Sequence, residues 1–192
     1  MAKELTEMTL EELWRLFPIV LKEYNPQYPQ WYEQEKEELE AIFAEDALVR
    51  ISHIGSTSVP GLLSKPIIDI LVELSAIADV PIWKKKLEDS GWLCMSQERA
   101  PEYKLAFNKG YTPVGFDEKV FHLHVRTHRG WDELYFRDYL REFPDTAREY
   151  AELKRRLKEK YEYNRNAYTE AKTKFIRNCT EKARKLYGKR YE

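Results

Sequence analysis

The sequence predicts an α+β domain: a small mixed β-sheet carrying helices, followed by a helical C-terminal part. Three observations lead there. The runs 48–54 and 67–74 are β-branched and apolar at strand length, residues 119–127 alternate apolar with polar side chains, and after Trp131 the apolar residues recur at helical spacing. A chain of 192 residues is long enough to bury a core without disulfides or a structural metal. The expected organisation is one domain over residues 1–192, with 1–22 as an N-terminal extension and 131–192 as the helical part.

The elements follow in order. Thr9-Leu-Glu-Glu12 is a capping box, so a short helix opens near Leu10 and closes by Pro18. Ile19 to Leu21 is expected to be a brief strand or an extended approach. Pro29 suits the first turn of a helix, here Glu-rich, running to about Ala44 with Leu39, Ile42 and Phe43 toward the core. Asp79-Val-Pro81 opens a crossover helix that ends at Gly91. Tyr103–Asn108 and Lys119–Thr127 are expected as two strands joined by a Gly- and Pro-containing loop. Three helices then cover about 132–143, 146–161 and 169–187, with Pro144 as a break and Gly188 as a stop.

Composition excludes several classes. Lys and Arg (32) nearly balance Asp and Glu (33), so no global charge argues for nucleic acid or a membrane as the main partner. Cys94 and Cys179 are far apart in no metal or redox spacing. No stretch approaches the roughly 18 apolar residues of a membrane span, and Met-Ala-Lys-Glu-Leu-Thr-Glu lacks a leader pattern, so the expected location is cytoplasmic.

Chemistry concentrates in three places. Gly55-Ser56-Thr57-Ser58 follows a strand, where exposed backbone N–H groups and hydroxyls suit phosphate oxygens. It is not a Walker A loop, because five residues separate Gly55 from Gly61 and Leu62-Leu63 stands where Lys-Ser/Thr is needed. A polar turn with a Pro60-Gly61 corner would explain the same residues structurally. Asp69 interrupts an apolar strand and shares a face with Leu71 and Glu73, either facing a cleft or serving as a capping or ion-paired residue. In Phe121-His-Leu-His-Val-Arg126, the residues His122, His124 and Arg126 project together, a face suited to metal, phosphate or both. Asp69 or His53 would complete a metal set. Lys104, His128 and Arg129 are candidates for an anionic pocket, and Lys172 is placed to reach a cleft. The cluster Lys154-Arg155-Arg156 reads as a solvated helix face.

The runs HIGSTSVPGLLSKPIIDILVEL, FHLHV, FRDYLREFP, EYAELK and YTEAKTKFI, in that order between about Tyr24 and Ala183, resemble the GrpB family. The resemblance implies a fold of the nucleotidyltransferase type, related to DNA polymerase β, with a C-terminal helical cap. It also implies a possible functional link to dephospho-CoA kinase, with which family members occur joined. Nucleotidyltransferases of this type carry an Asp-x-Asp/Glu strand and a later carboxylate that hold divalent ions. Gly55-Ser56 and Asp69 match that pattern, but Leu71 stands at the second carboxylate, and His122 and His124 replace the later acid. The implied function is a metal-dependent transfer of a nucleotidyl group from a nucleoside triphosphate to a small acceptor. Asp69 and Ser56 would be catalytic, Asp69, His122 and His124 would hold Mg²⁺, Mn²⁺ or Zn²⁺, and Gly55, Ser56, Thr57, Ser58, Lys65, Lys104, Arg126 and Lys172 would bind phosphate. The alternative is a non-catalytic module binding a nucleotide or a coenzyme A precursor, which Leu71 favours. An interaction protein acting through charged helix faces is a third class.

Overall fold

The computed structural model describes residues 3–43, 47–75, 80–99 and 103–192. Helices α1 (Leu10–Leu16) and α2 (Tyr28–Ile42) precede strand β1 (Leu48–Ile54) and strand β2 (Ile68–Leu74). Then come α3 (Val80–Asp89), β3 (Leu93–Glu98), β4 (Lys104–Thr112) and β5 (Gly115–Thr127). Helices α4 (Asp132–Glu142), α5 (Pro144–Tyr161) and α6 (Arg165–Tyr187) close the chain. The sheet order is β1-β2-β5-β4-β3, with β2 and β5 parallel and every other pair antiparallel. The α+β class is thus present, with a mixed sheet.

Alternation along the two central strands divides the molecule. Ile68, Ile70 and Val72 of β2 join Phe121, Leu123 and Val125 of β5, and Leu105 and Phe107 of β4, in one buried cluster. That face is covered by Tyr28, Tyr32, Leu39 and Ile42 of α2 and Val80, Trp83 and Leu87 of α3. Burying one such Leu or Ile stabilises by roughly 1.5–3 kcal/mol, so this face anchors the sheet. The other face carries Asp69, Leu71 and Glu73 beside His122, His124 and Arg126, paired residue for residue in the parallel register. Helices α4, α5 and α6 cover it.

Several expectations shift. The Thr9 capping box forms, with Glu12 N–H donating to Thr9 at 3.2 Å and Thr9 N–H donating to Glu12 at 2.6 Å. Of the two alternatives for Ile19 to Leu21, no strand forms there; the segment leads into a single bridge, Lys22 to Ser64. Pro144 separates two helices as expected, α4 ending at Glu142, but α5 opens at Pro144 itself rather than at Thr146, since its fixed φ suits a first helical turn. Asn164 caps α6 through the Ala167 N–H at 3.0 Å, so that helix opens at Arg165 rather than Thr169. The long loop expected between the last two strands is a tight turn at Pro113-Val114, because Thr112 pairs with Gly115. Gly110 lies at an irregularity in that pairing with φ +85°, where a Cβ would fall 2.2 Å from the Lys119 carbonyl oxygen. Strand β3 was not expected. Ala44 and Asp79, named as helix boundaries from the sequence, lie outside the described residues. No helix among the described residues is long and apolar enough to cross a membrane.

Candidate functional site: a cationic cavity between sheet and helical cap

The site begins where β1 ends. Gly55 takes φ +69° and presses against Asp69, so that a Cβ at Gly55 would lie 2.2 Å from an Asp69 carboxylate oxygen. Only glycine fits both constraints. The 3₁₀ turn Ser56–Ser58 follows and is fixed from several sides. The Ser58 hydroxyl donates to Gly55 O at 2.6 Å, and the Thr57 hydroxyl donates to Ile67 O at 2.9 Å. Thr57 therefore accepts from His53 Nε2–H at 3.0 Å, and His53 stacks on Tyr32 beneath. Burial drives the His53 pKa down to about 4 despite the nearby Asp69 charge. From α4, Arg137 donates to His53 O and Arg141 donates twice to Ser58 O.

Beyond this turn lies a cavity of about 510 Å³ between the sheet and α4–α6. Gly55, Ser56, Lys65, Asp69, His122, His124 and Lys172, expected together from sequence, all line it. Other expected residues do not. Thr57 and Ser58 are buried and hold the turn, as the bonds above require. Arg126 pairs with Glu133 at 2.8 Å and lies over the Trp131 ring at 4.4 Å, with Lys104 over the same ring at 5.8 Å. Arg129 also covers Trp131. Those cations pack around an indole rather than around the cavity. His53 faces α2, so it is no partner for Asp69. Glu73 is fully buried and bonds Arg50 at 2.6 Å and His128 at 3.2 Å, an internal ion pair away from the cavity.

Sequence reasoning missed Lys154, Arg165, Tyr150 and Tyr168, which complete the lining. Lys154 was assigned to a solvated face, yet it is 2% exposed. Its ammonium donates to Ser56 Oγ at 3.1 Å and to Leu63 O, over the Tyr150 ring. The signal was present: Tyr150, Ala151 and Lys154 share the buried stripe of α5 at helical spacing. Among the described residues, no carboxylate lies within ion-pair distance of Lys65, Lys154, Arg165 or Lys172. The acids Asp132 and Glu133 at the cavity edge are paired with Arg184 and Arg126. Burial lowers all three lysines: Lys65 to about 7 with Arg165 and Lys172 adding to it, Lys154 to about 7 with Lys172 and Lys65 adding to it, and Lys172 to about 8 with Arg165 lowering and Asp69 raising it.

Asp69 is the cavity acid that no arginine pairs; its partner is His122. Burial opposes its ionisation, but the His122 hydrogen bond and the neighbouring His122, His124 and Lys65 hold its pKa at about 2. His122 is also pushed down, chiefly by burial, against the opposing pull of Asp69. A neutral His122 then donates from Nδ1 to Asp69 Oδ1 at 3.1 Å, and its Nε2 accepts from Tyr111 O–H at 2.7 Å and Arg165 N–H at 3.1 Å.

The expected metal trio of Asp69, His122 and His124 is not gathered into a three-ligand group. Among the described residues no three His, Cys, Asp or Glu side chains come close enough to hold an ion. Both His122 nitrogens are engaged by protein partners. Leu71, at the second carboxylate position, is fully buried against Ile54, Trp131 and Leu134.

Comparison with known proteins is consistent with this architecture. The family model described as "GrpB protein" matches residues 18–182. The chain belongs to the GrpB family. The UPF0157 protein YqkA of Bacillus subtilis is 30% identical over 165 residues, covering 84% of this chain but only 46% of that protein's length. The crystal structure of conserved protein GrpB from Enterococcus faecalis superimposes with a TM-score of 0.74 at 31% identity, covering 88% of this chain and 99% of that one. A slighter likeness, TM-score 0.46 at 13% identity over 76% of this chain and 44% of the other, is to Cid1 poly(U) polymerase with MgGTP bound. The link to a dephospho-CoA kinase implied by the resemblance finds no support in these relatives.

Proposed function

We propose that this GrpB-family chain binds a phosphate-bearing small molecule, a nucleotide or a coenzyme A precursor, in the cavity between the sheet and the helical cap. The observation that carries the reading is the charge imbalance of the cavity. Among the described residues, Lys65, Lys154, Arg165 and Lys172 line it with no carboxylate in ion-pair distance, while Asp69, its one acid not paired with an arginine, is bonded to His122. A buried ammonium such as Lys154 costs several kcal/mol of desolvation, and a bound phosphate would offset that cost with charged hydrogen bonds. Ser56 Oγ and the turn around Gly55 stand beside Lys154 as further donors. The test is a thermal-shift panel of nucleotides, sugar phosphates and phosphopantetheine at millimolar concentration. Stabilisation by at least one phosphate-bearing class is expected, and none from any of them would refute the reading.

One observation favours a second reading, nucleotidyl transfer on such a ligand. Asp69 is ionised at the cavity wall and oriented by His122, so it can align an acceptor hydroxyl by accepting its hydrogen bond, while its lowered pKa makes it a weak base. The acceptor oxygen would attack the α-phosphorus, the bond to pyrophosphate would break, and the proton would pass to the departing pyrophosphate. Pyrophosphate release from a panel of triphosphates and acceptors, abolished in Asp69→Asn, tests it.

A further inference from the structure

We infer that the cavity takes its phosphate anion directly on protein cations, with no divalent ion between ligand and protein. The inference rests on the anion-binding reading above and narrows it to the metal-free form of the ligand. Four observations converge on it. A divalent ion shared with a phosphate ordinarily needs hard oxygen ligands from at least one or two free carboxylates. The cavity offers Asp69, whose Oδ1 accepts from His122 and whose other oxygen lies against Gly55. The strand position that would supply a second acid is Leu71, fully buried in an apolar cluster with Ile54, Trp131 and Leu134. A carboxylate there would have no partner, so the vacancy is built into the core rather than left at the surface.

The imidazole that lies next to Asp69 is equally committed. His122 needs Nδ1–H for Asp69 and its Nε2 lone pair for Tyr111 and Arg165, and Arg165 also donates to Tyr111 O at 3.1 Å. Coordination through Nε2 would break two of these contacts and bring a cation beside a guanidinium. Lys65, Lys154 and Lys172 line the same space, so the field that attracts a phosphate repels a free divalent ion. The lysines and Arg165 thus occupy the electrostatic role that metal ions fill elsewhere, neutralising phosphate charge with fixed donors.

Isothermal titration with inorganic pyrophosphate decides the matter on the wild-type protein. One arm contains EDTA, the other excess Mg²⁺. Saturable binding in EDTA is expected, with Mg²⁺ leaving the affinity unchanged or lowering it, because the ion competes with the lysines for the anion. Binding seen only with Mg²⁺ would overturn the inference while leaving the anion-binding reading in place. Binding in neither arm would overturn both. An Asp69→Asn arm adds a test of sign, since the amide oxygen can still accept from His122. Removing the negative charge of Asp69 should tighten pyrophosphate binding in EDTA by roughly 3- to 30-fold. A folded Asp69→Asn protein that binds pyrophosphate more weakly than wild type in the Mg²⁺ arm would instead mark Asp69 as a metal ligand and overturn the inference.

Discussion

Replacing Lys154 by Met separates a binding residue from a structural one. Lys154 is 2% exposed, and burial, with Lys172 and Lys65 nearby, lowers its pKa from 10.5 to about 7. A lysine lowered in the folded state is unfavourable there at every pH below 10.5, increasingly so down to pH 7 and steadily below it. At pH 7 that depression corresponds to about 4 kcal/mol lost from folding. Met removes the charge and keeps most of the volume, but it strands Leu63 O, which Lys154 now satisfies, at roughly 1–3 kcal/mol. The net expectation for the ligand-free protein is a gain of about 1–3 kcal/mol, or roughly 2–10 °C in melting temperature for a chain of this size. The gain from ligand should shrink: pyrophosphate at 100 times the wild-type Kd stabilises wild type by about 2.7 kcal/mol, and losing one charged hydrogen bond of roughly 1.5–3 kcal/mol should leave the variant a gain of about 0.3–1.3 kcal/mol. Urea denaturation at pH 7 with and without pyrophosphate measures both effects. A variant destabilised by several kcal/mol, or one stabilised by ligand as much as wild type, would refute the reasoning.

Three further outcomes follow from the same geometry. Sulfate stays a dianion from pH 6 to 9, so the pH dependence of its affinity reports the protein alone; it should be strongest below pH 7 and fall as Lys65, Lys154 and Lys172 lose protons at about 7 to 8, whereas a pH-independent Kd by calorimetry would contradict the cationic site. Gly55→Ala combines φ +69° with a Cβ 2.2 Å from Asp69, and should cost at least about 2 kcal/mol in urea melts as well as ligand affinity; wild-type stability would show that the turn relaxes. Glu73→Ala leaves Arg50 and His128 without their buried partner and should lose about 3–5 kcal/mol without changing pyrophosphate affinity measured on the folded fraction, which separates this internal pair from Asp69.

Much of the frame was legible because its signals are local. The strands β1, β2 and β5 announce themselves through β-branched runs and clean alternation, and the parallel register then places Asp69 opposite His122 as the shared face requires. Strand β3 was hidden because it is a sheet edge whose residues Leu93 to Glu98 are largely exposed, which leaves no apolar rhythm to read. The β4–β5 turn was overestimated because Gly110, Pro113 and Gly115 resemble a loop, although they make an irregular pairing and a two-residue turn. In the site, the Gly55 turn, Asp69, His122 and Lys172 were readable from residue type and face. Thr57 was not separable from Ser56, since which hydroxyl points inward depends on the His53 and Ile67 contacts. Lys154 and Arg165 come from α5 and α6, and only the folding of those helices over the sheet brings them to Ser56 and His122.

The central claim, that lysines of the helical cap hold a phosphate against the Gly55–Ser56 turn, is tested most directly by one comparison. Pyrophosphate is titrated calorimetrically, in low-salt buffer with EDTA, into wild type and into the Lys154→Met/Lys172→Met double variant. A charged hydrogen bond contributes roughly 1.5–3 kcal/mol, so losing two predicts one-site binding in wild type and an affinity at least about 100-fold weaker in the double variant. Equal affinities in two folded proteins would contradict the account.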